Sequence, residues 1–317
     1  MDSGTGGTPG ESTGGNLVSS KVTQENIKDL SDFVVTRVLS NNGNRKTICA
    51  VGKLADSDEN GVLFLEKLSF SEEVLKGLCS KQSLLKKEFL NDVYGSYTCL
   101  PDVNLNGIKV TFIYPATDKH IAKYESRPHH IIEETPQFYN EITLPHIISG
   151  QFNLEWVYNI LDHKKEEERI IFEDDDPEKG FILLPDIKWD GKQVDSLYLL
   201  CIVRKRGIRS LRDLNGEHLP LLINIKDKGS KVIYDKYSIP ESQLRIYIHY
   251  QPTFYHLHIH FTYLNFEAPG IFAEKSHLLS TVINNIQLNS KYYKIATLPF
   301  AVSESQSLFS AYEEKGK

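Results

Sequence analysis

The sequence lacks the marks of a membrane segment, a disulfide framework or a polycationic surface. No run of about 18 apolar residues occurs, so no membrane span is expected. The four cysteines, Cys49, Cys79, Cys99 and Cys201, are scattered and form no CxxC pair. Without a secretory apolar segment, they read as free thiols in a reducing compartment. That favours the cytoplasm and leaves the nucleus open, although no basic cluster near the N-terminus marks nuclear import. The 36 Lys and Arg against 42 Asp and Glu give a formal net charge of -6. This balance argues against a surface that grips long nucleic acid through its backbone. It leaves room for a small phosphorylated ligand, which needs only a few local cations. No internal repeat is present.

What is there describes an ordinary globular protein with enough chain for two domains: 317 residues, 40% hydrophobic and 25% charged. Residues 1–20 are rich in Gly, Ser and Thr and read as a disordered tail. Residues 21–126 read as an N-terminal α+β domain. Its β-branched and aromatic runs Phe33–Leu39, Val62–Leu65 and Ile108–Tyr114 predict strands, and Ser71–Leu78 has helical spacing. A charged, His-containing stretch follows and is broken at Arg127-Pro128, which makes residues 127–137 the expected hinge. Residues 138–317 form the second domain. Helices are expected at residues 152–161, 211–225 and 273–286. Strands are expected from Gly180 to an interruption at Pro185, over Leu197–Val203, and over Gln243–Tyr250 and Tyr255–Tyr263, the last two joined through Gln251-Pro252. The fold class is α+β with antiparallel pairing, because connections are short.

The sharpest feature is His256-Leu257-His258-Ile259-His260-Phe261. On a strand the three imidazoles share one face at about 6.5–7 Å spacing, with Leu257, Ile259 and Phe261 on the other. Three readings follow from the residues alone. The histidines are structural, or they bite a metal from one side, or one of them attacks phosphorus. Imidazole, with a pKa near 6.5, is largely the free base at neutral pH and suits that attack. Neighbouring imidazoles then orient it and protonate a leaving oxygen. The metal reading wants further ligands, and the cysteines offer no cluster.

The alternation His-φ-His-φ-His-φ resembles the histidine-triad superfamily of nucleotide hydrolases and transferases. His249-Tyr250, Pro252, Tyr255–Thr262 and Phe266-Glu267-Ala268-Pro269-Gly270 narrow the resemblance to its scavenger mRNA-decapping enzymes. So do Tyr114–Thr117, Asn140–His146, Trp156–Leu161, Pro185–Trp189 and Arg206–Leu214. The likeness covers essentially the whole chain beyond the tail. It implies a homodimer with a swapped N-terminal domain, a histidine-triad C-terminal domain and a cap pocket between domains. The implied substrates are cap dinucleotide and short capped RNA fragments left by 3′ decay. The products are 7-methylguanosine monophosphate and a 5′-diphosphate, and no metal or cofactor is required. Carried over by motif, His258 is the nucleophile, His249 and His260 line the phosphates, and His256 supports the triad.

A methylated N7 makes the purine cationic, which an aromatic face stabilises by cation–π attraction, while a carboxylate accepts the base's donors. The resemblance gives these tasks to Trp156 and Glu166. By residue type alone, Trp156 reads as a core aromatic and Glu166 as part of a solvated charge run. Asp186 and Lys188 are placed at the cap nucleotide, with Ile187 as their apolar neighbour, and an ordinary turn ion pair is the competing reading. Lys123 matches a lysine that reaches the phosphates. Phe254 departs from the pattern. The family carries tyrosine there, and phenylalanine cannot donate that hydrogen bond, although the Thr253 hydroxyl lies next to it. Two rival functions stand beside decapping: dinucleoside polyphosphate hydrolysis by the same superfamily chemistry, and non-catalytic cap binding that regulates.

Overall fold

The computed structural model describes residues 29–55, 57–81, 83–150 and 153–316. The expected tail, and the first residue of the helix expected from Phe152, lie outside them. The chain divides into two compact units at Ser126/Arg127.

In the first unit, β1 (Phe33–Asn42), β2 (Thr47–Leu54), β3 (Asn60–Lys67) and β6 (Ile108–Ile113) form an antiparallel sheet in that order. Its core is small and gathers Leu39, Cys49, Val51, Val62 and Ala116. Between β3 and β6 stand a helix, Glu72–Leu78, capped by the Ser71 side chain on Val74 N, and a separate hairpin, β4 (Leu84–Asn91) with β5 (Tyr94–Leu100). Strand β2 and this hairpin were not expected from the sequence. Gly52 interrupts the first, and charged Lys86, Lys87 and Glu88 blur the alternation of the second.

The second unit opens with a strand where a hinge was expected. Residues 129–134 are β7 (His129–Glu134), paired antiparallel with β14 (Leu298–Ser303). The partner lies over 160 residues away, so no local pattern announces it. The main sheet runs β13-β11-β12-β10-β9-β8 and is antiparallel throughout. These are β8 (Phe172–Glu173), β9 (Phe181–Pro185), β10 (Tyr198–Val203), β11 (Leu244–His249), β12 (His258–Tyr263) and β13 (Ser276–Leu278). Pleating sends alternate side chains to opposite faces. Phe181, Leu183, Leu199, Cys201, Ile259 and Phe261 join one core, with the helices Leu219–Tyr237 and Leu279–Leu288. Ile182, Leu184, Leu200 and Ile202 join a second core with Val157, Ile160 and Leu161 of the helix Glu155–Leu161. Gly229 sets how closely the long helix approaches, since a Cβ there would come within 2.7 Å of the Phe261 ring.

Three boundaries differ from the sequence reading. The helix expected over 211–225 is two short 3-10 turns followed by Leu219–Tyr237, which starts where Pro220 occupies the first turn. Residues 276–278 of the expected 273–286 helix are strand β13, because they complete the edge of β11. The strand expected from Tyr255 begins at His258. Residues 251–257 form a turning loop, anchored where Leu257 N donates to Ile208 O at 2.8 Å.

Candidate active site

Register places the histidines. In β12, His258 stands opposite Ile202 and His260 opposite Leu200 of β10. Both therefore lie on the face of the second core, while Ile259 and Phe261 fill the first. The ring centroids of His258 and His260 are 5.1 Å apart, and those of His249 and His260 are 4.3 Å apart. His256 departs from the expectation of three rings on one strand face. It sits in the loop, where its Nε2–H donates to Val203 O at 2.7 Å and its ring meets Tyr158 edge-on. Its main-chain carbonyl is what reaches its neighbour, accepting from His258 Nδ1 at 2.8 Å. A carbonyl only accepts, so Nδ1 carries the proton and Nε2 the lone pair. That Nε2 is buried and has no hydrogen-bond partner.

A cavity of about 160 Å³ opens beside this pair, lined by Asp186, Lys188, His249, Thr253 and His260 among the residues expected at the site. It is smaller than the roughly 300 Å³ that encloses a drug-sized ligand, and its lining is cationic. Asp186 and Lys188 reach it from a turn rather than by strand alternation: Asp186 Oδ1 accepts from Lys188 N at 2.9 Å. His258 itself is not on the wall. It lies behind Phe254, whose ring stacks on it and does line the cavity.

Burial first, then neighbouring positive charge, holds these imidazoles neutral. His258 is lowered to about 4 and His249 to about 3, and His260 falls well below its ordinary value. His249 is turned by its Nε2–H, which donates to Gly270 O at 3.1 Å. Gly270 has φ of +85°, and a Cβ there would sit 2.8 Å from His249 Nε2, so glycine is required twice over.

Sequence reasoning missed Lys275 and Tyr198. Lys275 lines the cavity, and its ammonium is lowered by burial and by Lys188. Among the described residues, neither lysine meets a carboxylate in an ion pair. A lone lysine ahead of a three-residue edge strand gives no signal in a sequence. Tyr198 holds its hydroxyl 3.1 Å from His260 Nδ1. Its apolar-looking run, Leu197–Val203, conceals that contact.

Of the residues expected at the base, Trp156 is one contact from the cavity and Glu166 is farther, reaching it only through Arg169 and Pro185. Trp156, 40% exposed, meets Phe254 edge-on at 4.8 Å between centroids. Glu166, in the left-handed region at φ +59°, pairs with Arg169, whose Nη2 also donates to Pro185 O at 2.8 Å, next to Asp186. Ile187 is 83% exposed. Lys123 lies in the first unit, on the helix Asp118–Tyr124, with Nζ 5.5 Å over the Tyr124 ring. No group of three or more His, Cys, Asp or Glu is arranged to hold a metal among the described residues.

Residues 28–127 match the N-terminal family model of the scavenger mRNA decapping enzyme (DcpS), and residues 155–276 match that enzyme's C-terminal binding model. The chain belongs to the scavenger mRNA-decapping enzyme family. It is 44% identical over 289 residues to the m7GpppX diphosphatase of Homo sapiens, covering 90% of this chain and 86% of that one. It is 44% identical over 292 residues to that of Ascaris suum, covering 89% and 94%. The m7GpppX diphosphatase of Schizosaccharomyces pombe is 34% identical over 291 residues, covering 89% and 95%. The two-domain architecture of the family accounts for the division at Ser126/Arg127 and for the histidine-bearing sheet in the second unit.

Proposed function

We propose that the protein is a hydrolase of the triphosphate bridge in 7-methylguanosine caps, acting on cap dinucleotide and short capped RNA fragments. The single observation that carries the chemistry is the state of His258. Its Nδ1–H is held by the His256 carbonyl and its buried Nε2 lone pair is unpartnered, behind Phe254, whose ring lines a small cavity that also holds Lys188 and Lys275. Nε2 attacks the phosphorus that bears 7-methylguanosine. The bond to the bridging oxygen breaks, and that oxygen leaves with the electron pair on the 5′-diphosphate product. Water then attacks the same phosphorus, the N–P bond breaks, the electron pair returns to Nε2, and 7-methylguanosine monophosphate departs. Lys188, Lys275 and His260 face the phosphates, His249 and Thr253 line their walls, and His256 sets the nucleophile's tautomer. Trp156 and Ile187 take the cationic base, Glu166 accepts from its edge, and Asp186 borders the nucleotide. Lys123 is given to the phosphates by the family motif alone. The net negative charge favours short substrates over long RNA.

We also propose a homodimer. It is supported by the apolar side chains that the hairpin β4–β5 leaves bare on both faces.

The decisive experiment is His258→Asn, assayed on a labelled cap dinucleotide. Hydrolysis should vanish while 7-methylguanosine monophosphate still binds, because the substitution keeps the pocket's shape. Near-normal turnover would remove the nucleophile assignment. A parent protein that binds the cap without turning it over would instead be a cap-binding regulator.

A further inference from the structure

Nucleophilic attack by His258 leaves a charge that the site must hold. Its ring starts neutral, with a proton on Nδ1 and a lone pair on Nε2. When phosphorus bonds to Nε2 the ring becomes a phosphorylated imidazolium, bearing a full positive charge until water restores it. The surroundings are unfriendly to that charge. The imidazole is buried, and burial together with the positive ends nearby already lowers its proton affinity. Among the described residues, no carboxylate pairs with His258 to offset a positive charge. Two neutral groups lie against the ring instead. One is the His256 carbonyl, which accepts from Nδ1. The other is Phe254, whose ring lies face to face on the imidazole with centroids 3.9 Å apart and planes 16° from parallel.

A benzene face carries negative electrostatic potential and attracts a cation set over it, more strongly when both are desolvated. It lies against the plane of the imidazole, away from the in-plane line along which Nε2 attacks. Phe254 is also anchored, since it packs with the second core and meets Trp156 edge-on. We propose that Phe254 lowers the barrier to the covalent step by holding its ring face against the positive charge that His258 acquires. This rests on the nucleotidyl-imidazole reading. It makes Phe254 a residue that acts through His258 and needs no hydroxyl to do so.

The test is to replace Phe254, in the full-length chain, with phenylalanines carrying one, two and three ring fluorines. These withdraw density from the ring face with little change of shape. Single-turnover rates on cap dinucleotide should fall stepwise, by about tenfold across the series, in line with the loss of one desolvated cation–π contact. KM should stay level. Phe254→Leu, which removes the face altogether, should lose at least as much in kcat. A flat fluorine series would overturn the proposal, as would a loss of kcat/KM that comes from a rise in KM alone. Rapid quenching of the parent followed by mass spectrometry for an acid-labile adduct on His258 separates the two failures. An adduct with a flat series removes the role of Phe254 alone, whereas no adduct removes the covalent reading beneath it.

Discussion

At the residue scale, protonation decides whether the nucleophile is armed. A histidine whose pKa is lowered keeps its free base to lower pH than an ordinary one. With His258 lowered to about 4, Nε2 should hold its lone pair throughout the range from neutral down to about pH 5. The acid limb of kcat/KM, which reports the free enzyme, should therefore fall near pH 4 rather than near the ordinary imidazole value of about 6.5. An acid limb between 6 and 7 would count against a depressed His258 as the group whose protonation stops the reaction. The three-histidine alternation was legible in the sequence, because a strand's period of two is strict. The departure of His256 was not. It leaves the strand because Val203 O and Tyr158, both remote in sequence, hold its ring elsewhere. Lys275 was invisible for the same reason: what brings it to the cavity is the edge pairing of β13 with β11.

At the scale of elements, strand β7 is held by more than its ladder. Glu134 at its end is fully buried and receives Arg212 Nε and Nη2 at 2.9 and 2.8 Å. Arg212 also donates to the carbonyls of Glu134, Tyr293 and Ala296, and the Tyr250 hydroxyl donates to the same Glu134 carboxylate. Tyr250 directly follows His249, so this pair pins the end of β11 at the site. A buried pair that loses one member leaves an uncompensated charge, at a cost of about 3–5 kcal/mol. Arg212→Ala should lower the unfolding free energy by that amount, measured by urea denaturation, while a loss under 1 kcal/mol would mean that the pair is hydrated. From the sequence, Arg212 was noticed only as part of a motif, and β7 was taken for a hinge. Elements with strong local patterns, such as the strand within Leu197–Val203 and the helix Glu155–Leu161, were read without structure. Those fixed by a distant partner were not.

At the scale of the whole molecule, the hairpin β4–β5 poses a problem of stability. An isolated two-stranded hairpin is marginal in water, yet this one exposes large apolar groups throughout. Leu84 is 70%, Phe89 59% and Tyr94 75% accessible, and no residue of either strand is buried. Consecutive apolar residues, Leu84-Leu85 and Phe89-Leu90, point to opposite faces, as in a strand enclosed on both sides. Contiguous apolar surface of this kind marks a protein–protein contact. A second copy of the chain is the occupant that the family resemblance implies. Light scattering should then give twice 36.1 kDa at working concentrations. Leu85→Asp with Phe89→Asp discriminates further. If both side chains faced water in a monomer, each change would be worth no more than about 0.5 kcal/mol. If they are covered by a partner, placing two carboxylates there should dissociate the dimer and lower the melting temperature. A monomeric mass for the parent, or a double variant that keeps the parent's mass and melting temperature, would leave the hairpin without its partner and overturn the dimer.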